Sequence, residues 1–489
     1  MNQTLVQDVV AEVMQRLHAR DQHGSRVVSR RAPSLPRVAT ARPQSTSSAD
    51  GRFGVFASVD DAVRAAKDSQ QQLLRLSLDE RDQIVTLVKQ IAKDRAHEWG
   101  KLELDETKIG RLDHKIEKLQ ILELVPGVEF LRTRAESGSN GISLEEFAPF
   151  GVIGAITPVT HSIPTLTANV ISMVAAGNAI VANAHPSGAN CAAVAVREYN
   201  RAIAGKFGIE HLITCILPPS LRTAEELFAH RGVDLLVVTG GPGVARAALR
   251  ASKRAIVAGP GNPPVVVDET ACLKNAADSI VKGAAYDNNL LCIGEKQVFC
   301  VESVFDKLLE QMQKHGAYVL SAAQVEQLTK LAFTVNKEGK AHVNKDLVGR
   351  DASILAEQIG LRVPPATQLL IGETKFEHPF VEEEQMMPFV PFVRTRDADE
   401  AIELAVKSEH GYRHTAIIHS RNLDTITKFG RAADVTLFIV NGPSMAGLGL
   451  NGEGYLSYSI ATPTGEGVTT PLTFTRFRRT MIKGSLRMV

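Results

Sequence analysis

Along the first 20 residues apolar positions recur every three or four: Leu5, Val6, Val9, Val10, Val13, Met14 and Leu17 share one helical face, while Gln7, Asp8, Glu12, Gln15 and Arg16 fill the other. With Thr4 placed to cap it, this pattern predicts an amphipathic helix over 1–20. The periodicity then stops. Residues 21–49 carry Arg26, Arg30, Arg31, Arg37 and Arg42 among Pro33, Pro36 and Pro43, which predicts a flexible basic linker. Isolated helices below about 12 to 15 residues are marginal in water, so this one needs a surface to lie on. Asp8 and Glu12 argue against a mitochondrial presequence. A membrane-surface helix would carry cations on its polar face and aromatics on the other, and neither is present. Docking into a groove of a partner protein and packing on the chain's own domain both remain open.

From Phe53 onward helical and strand periods alternate, the mark of an α/β architecture. The spacing predicts helices over 60–75 and 79–96, buried strands over 150–158 and 179–183, and a crossover helix over 164–176 that joins them as a βαβ unit. A second unit is expected from the apolar run 234–239, a Gly-rich turn and a helix over 244–252. The all-apolar run Val265 to Val267 opens a new block, placing a domain junction near residue 260.

Composition narrows the picture. The 489 residues, 44% of them hydrophobic, can bury two or three cores. Lys plus Arg number 55 against 54 Asp plus Glu, so the net charge of +1 provides no field to draw in nucleic acid or an anionic membrane. The 5 cysteines are widely spaced without a CxxC pair, a pattern that suits a reducing cytosol and argues against a disulfide scaffold or a zinc site. No run approaches the roughly 20 apolar residues of a spanning helix, and the N-terminus lacks a signal-peptide core. A cytoplasmic protein of small-molecule chemistry, without metal, nucleic acid or membrane, is expected.

Two segments carry candidate chemistry. Gly240-Gly-Pro-Gly243 lies between an apolar strand and a helix, where backbone amides and a helix N-terminus can face a phosphate. Arg246 stands where the third glycine of a GxGxxG fingerprint would fall, so a tight strand-to-helix turn is the competing reading. The second segment, Ala284-Ala-Tyr-Asp-Asn-Asn-Leu-Leu-Cys-Ile-Gly-Glu295, leads from a helical stretch into a polar, glycine-containing one. There the Cys292 thiol can meet ligand among backbone dipoles that favour the thiolate. Cys191, Cys215, Cys272 and Cys300 read as small hydrophobes.

Six ordered motifs then resemble one superfamily. Gly151-Val-Ile-Gly-Ala-Ile-Thr-Pro158, Ala175-Ala-Gly-Asn-Ala179 with His185-Pro186, Val238-Thr-Gly-Gly-Pro-Gly243, Ala258-Gly-Pro-Gly-Asn-Pro-Pro264, the Cys292 segment and Glu383-Glu-Gln-Met-Met-Pro388 look like an aldehyde dehydrogenase from about residue 50 to near the C-terminus. The similarity is closest to the CoA-acylating enzymes of propanediol- and ethanolamine-utilising bacterial microcompartments, and residues 1–20 resemble their encapsulation peptides. The resemblance implies an aldehyde dehydrogenase α/β fold: a Rossmann-like NAD- and CoA-binding domain over 50–258, an α/β catalytic domain over 259–440, and a C-terminal return over 441–489. Strands near 140–148 and within the return, with Ile142 to Phe147 and Leu472 to Phe477 alternating, would form an oligomerisation arm that builds a dimer or tetramer.

The implied reaction runs through a Cys292 thioester, with NAD as hydride acceptor and coenzyme A as acyl acceptor, on a short-chain substrate such as propionaldehyde or acetaldehyde. Hydrolytic relatives carry a glutamate base in a Glu-Leu-Gly-Gly-Lys type motif. Here the aligned stretch begins at Ala258, and the loss of that base favours a thiol, which ionises far more readily than water. The asparagine that holds the oxyanion in those relatives is replaced around Thr160 and His161, leaving the Cys292 amide with either side chain to serve. Cofactor contacts are implied for Thr157, Pro158, His185, Pro186, Gly240, Gly241, Gly243, Gly259 and Glu384, with NAD preferred over NADP because the family's ribose lysine is replaced near His185. For the run Glu382 to Glu384 a solvated acidic turn is the alternative. The implied setting is the interior of a microcompartment, with a shell protein as partner for residues 1–20. A hydrolytic aldehyde dehydrogenase and a non-catalytic shell-associated scaffold are the rival functions.

Overall fold

Caps written into the sequence set where the first helices begin. Ser58 accepts from the Asp61 amide at 3.3 Å and opens Val59–Leu73, while Ser77 and Glu80 form a reciprocal capping box at the head of Leu78–Asp94. The structure, a computed structural model, describes residues 50–335 and 341–486; the helix expected at 1–20 and the linker expected at 21–49 lie outside the described residues.

Six parallel strands make the first sheet, in the spatial order Val55–Phe56, Ile213–Ile216, Ala179–Ala184, Val152–Thr157, Leu235–Thr239 and Ala255–Ala258. From Val152 onward this is a doubly wound order, whose sense reverses between Val152–Thr157 and Leu235–Thr239. A crevice opens beyond the carboxyl ends of strands at such a reversal, here beyond Thr157 and Thr239. Helix Ser162–Ala175 connects Val152–Thr157 to Ala179–Ala184 and is buried along all of its 14 residues, which explains its apolar composition on every face.

A second sheet of seven parallel strands begins at Pro264–Val267. Val265 and Val267 enter one core with Val298 and Ile417, whereas Val266 enters another with Phe299 and Ile418. Burial on both faces is why this strand shows no polar alternation. The two sheets are joined by the short loop 259–263, and the C-terminal return brings Leu456, Tyr458 and Ile460 into the first core.

Gly141–Pro149 pairs antiparallel with Arg134–Gly138 on one side and Thr475–Lys483 on the other, forming a three-stranded arm. The expected alternation from Leu472 is corrected here: Pro471–Phe474 is a 3-10 turn capped by Thr470, Phe474 is buried in the first core, and the strand starts at Thr475. Likewise the helix expected over 244–252 runs Pro242–Leu249, begun by a proline suited to a first helical position. Among the described residues no helix is long and apolar enough to cross a membrane, and no group of three or more His, Cys, Asp or Glu is placed to hold a metal.

Candidate active site

Helix Leu273–Ala284 ends in a turn unlike the helical approach the sequence suggested. Asp287, Asn288 and Asn289 have φ of 48°, 57° and 66°, three successive left-handed residues in side chains that tolerate this better than most. Each is tied down. Asp287 takes Lys118 Nζ at 2.5 Å and the Arg111 amide at 2.8 Å; Asn288 donates to the Gly349 carbonyl and Asp351; Asn289 donates to the Ala284 and Glu295 carbonyls. The turn delivers Leu290 to Cys292 to the crevice, where the Cys292 carbonyl lies so near Gly261 that a Cβ there would sit 2.3 Å from it. Gly261 is therefore required by close approach.

Cys292 is half-buried and lines a cavity of about 660 Å³ at the switch point of the first sheet. Burial and the Glu384 carboxylate push its thiol up to about 12, against the pull of Lys296 and of the Cys292 and Ile293 amides. Lys296 is wholly buried beneath this loop and donates to the Asn289 carbonyl at 2.8 Å and to Asn289 Oδ1 at 2.5 Å. Burial likewise pushes the Glu384 carboxyl up, opposed by Lys296 and the Gly261 amide.

Thr157, Pro158, Thr160 and His161 line this cavity together, at the end of Val152–Thr157. Gly240, Gly241 and Gly259 line the same cavity, as do Glu384, His185 and Pro186, with the His185 amide donating to the Thr157 carbonyl at 3.0 Å, whereas Glu382 and Glu383 do not line it. Of the candidate catalytic and cofactor-binding residues, Gly243 alone lies off this lining; it is exposed in the first turn of Pro242–Leu249. The N-terminus of that helix has no side-chain cap, leaving its amides open toward the Gly240–Gly241 turn. Thr157 Oγ1 is buried without a hydrogen-bond partner among the described residues. An open helix N-terminus and an orphaned hydroxyl at the switch point are the fittings of a dinucleotide site.

His161 precedes helix Ser162–Ala175 without capping it; Glu103 takes the Ile163 amide at 2.9 Å instead. Burial, with Lys118 adding to it, drives His161 well below its ordinary range, so its ring is neutral. The ring packs on Tyr458, whose hydroxyl donates to the Lys118 carbonyl, and Lys118 Nζ donates to the Thr160 carbonyl at 3.3 Å. Lys118, Asp287, Lys296 and Tyr458 went unread in the sequence: none stands in a periodic pattern that marks it, and Lys118 meets Asp287 and Tyr458 only through the fold.

Ala258 ends the last strand of the first sheet on the cavity wall, and Glu384 is the one carboxylate on the lining among the described residues. A thiol at a dinucleotide-shaped crevice, without a second carboxylate to activate water, suits acyl transfer. The aldehyde dehydrogenase family model matches residues 49–454. The chain belongs to the aldehyde dehydrogenase family.

Within it, the chain is 45% identical over 440 residues to acetaldehyde dehydrogenase (acetylating) EutE of Salmonella typhimurium, covering 89% of this chain and 94% of that one. The propionaldehyde dehydrogenase of Rhodopseudomonas palustris, solved with bound CoA and an acylated cysteine, superposes with a TM-score of 0.87 at 41% identity, covering 89% of this chain and all of that one (100%). The propionaldehyde dehydrogenase of a Clostridium phytofermentans fucose utilisation bacterial microcompartment matches with a TM-score of 0.86 at 40% identity, again over 89% of this chain and 100% of that one.

Proposed function

We propose that this chain is a CoA-acylating aldehyde dehydrogenase, oxidising a short-chain aldehyde with NAD and passing the acyl group to coenzyme A. The carboxylate inventory of the cavity carries this reading: Ala258 stands where hydrolytic relatives place their base, and Glu384 is held by the Gly261 amide beside Lys296. The Cys292 thiolate adds to the carbonyl carbon, and the carbonyl electrons move onto oxygen, which faces the Cys292 amide with Thr160 or His161 nearby. Collapse of this adduct releases hydride and leaves a thioester on Cys292. Gly240, Gly241 and Glu384 would hold NAD, which would supply the hydride acceptor, and CoA would supply the thiol. Attack by that thiol on the thioester carbonyl forms acyl-CoA, breaks the bond to Cys292 sulfur and restores the thiolate. Aldehyde, NAD and CoA give acyl-CoA, NADH and one proton.

Thr157, Pro158, Gly240, Gly241 and Gly259 would hold the nucleotide, with His185 and Pro186 at its adenosine end and Glu384 at the nicotinamide ribose. By the same reading residues 1–20 dock on a microcompartment shell, a setting named for the similar Clostridium enzyme. The arm would pair copies of the chain, as Phe477 and Met481, 59% and 57% exposed on its outer strand, suggest an apolar surface to cover. Aldehyde-dependent NADH formation across a chain-length series, with and without CoA, tests the reaction. Turnover should need CoA and peak at two or three carbons; rates undiminished without CoA would make the enzyme hydrolytic.

A further inference from the structure

The second strand of the doubly wound sheet, Ala179–Ala184, ends where such sheets meet an adenosine ribose. Sites for a ribose with free hydroxyls commonly place a carboxylate there. In this chain the strand runs out as Ala184-His185-Pro186-Ser187-Gly188, without an acid. The nearby Glu106 is already spent on the amides of Asn190 and Cys191, at 2.9 and 2.7 Å.

Lining the same cavity as His185, and near enough for its charge to act on that ring, is a lysine from the other sheet's domain. Asn344 fixes its backbone: the Asn344 amide donates to the Ala332 carbonyl at 2.7 Å and its side chain to the Leu331 carbonyl at 2.9 Å, the last carbonyls of helix Ala322–Ala332. Asn344 Oδ1 in turn accepts from the Asp346 amide at 3.0 Å. Lys345 is thus carried on a turn locked to a helix end, lines the cavity, and has no hydrogen bond or ion pair among the described residues. His185 Nδ1 accepts from the Ser187 amide at 3.2 Å, which leaves Nε2 as the protonated donor of a neutral ring. Burial and the Lys345 charge both hold that ring below its ordinary range. Two donors therefore share one lining near enough to repel, at a strand end whose residues 184–188 carry no acid.

We propose that Lys345 and His185 form a subsite for a phosphomonoester on the adenosine ribose of the bound nucleotide. CoA carries one at the 3′ position and NADP at the 2′ position; NAD has none. For CoA this rests on the acyl-transfer reading above. It gives the cavity a means of favouring CoA over NAD, which carries no such phosphate.

The test uses the full chain with Lys345→Gln and Lys345→Arg, measuring KM for CoA against 3′-dephospho-CoA, and for NADP against NAD. Lys345→Gln should raise the CoA KM by about tenfold, or about 1.4 kcal/mol, while the dephospho-CoA KM stays at the wild-type value; arginine should restore most of the loss. A shift for NADP with none for CoA supports the subsite and assigns it to the 2′-phosphate. Equal shifts for phosphorylated and unphosphorylated partners, or no shift for any, overturn it. CoA-independent turnover by the wild type would instead sink the acyl-transfer reading, with the NADP arm still reporting on the subsite.

Discussion

At Cys292 two opposite influences meet. Backbone amides and Lys296 favour the thiolate, yet burial and Glu384 prevail and hold the thiol up to about 12. The free enzyme's thiol is therefore mostly protonated near neutrality, and its alkylation rate should climb steadily from pH 7 to 9 without a plateau. Removing the like charge with Glu384→Gln should speed iodoacetamide alkylation at fixed pH by roughly tenfold. An unchanged rate would mean that Glu384 does not act on the thiol. That Cys292 and Ala258 lie on one cavity lining follows an expectation drawn from six ordered motifs taken together. Lys296 was not legible, although only four places from Cys292, because the turn that folds it under the thiol leaves no periodic signal.

The element that aims Cys292 is the left-handed turn Asp287 to Asn289, held from outside by the Lys118–Asp287 pair. Burial alone would raise Asp287, but Lys118 and Lys115 outweigh it and hold the carboxyl at about 2. The folded value lies below that of a free aspartate, so the pair's stabilisation is complete above about pH 4 and is lost as pH falls toward 2. Asp287→Ala strands a buried ammonium and should cost about 3–5 kcal/mol, read as a lower denaturant midpoint. Lys118→Met/Asp287→Ala removes both charges and should recover part of the loss. If the double variant is as unstable as the sum of the two single ones, the pair is not the source. The sequence pattern told where helices and buried strands lie, since caps such as Ser58 and Ser77 and the two-sided burial of Val265 to Val267 are local causes. It misread Leu472 to Phe474, where burial of Phe474 against a distant core overrode the local alternation.

Across the whole molecule, chemistry arises because residues from both sheets and from the C-terminal return meet at one crevice. The α/β aldehyde dehydrogenase architecture was readable from ordered motifs; the contact of Lys118 with Tyr458, and the arrival of Lys345 and Tyr458 on one cavity lining, were not, because they join segments far apart in the chain. Assembly should be separable from catalysis. Deleting residues 1–20 should abolish co-sedimentation with shells and leave soluble turnover intact, and lost turnover would mark the segment as part of the enzyme's own structure. Phe477→Asp on the arm should lower the mass measured by light scattering, and an unchanged mass would place self-association elsewhere. The most direct test of the central claim is a rapid-mixing experiment with aldehyde and NAD but no CoA, followed by mass analysis of the Cys292 peptide. An NADH burst close to one per active site that then stalls, with the acyl group on Cys292 and discharged on adding CoA, is the predicted result. Continuous NADH production with free acid released and Cys292 unmodified would contradict it.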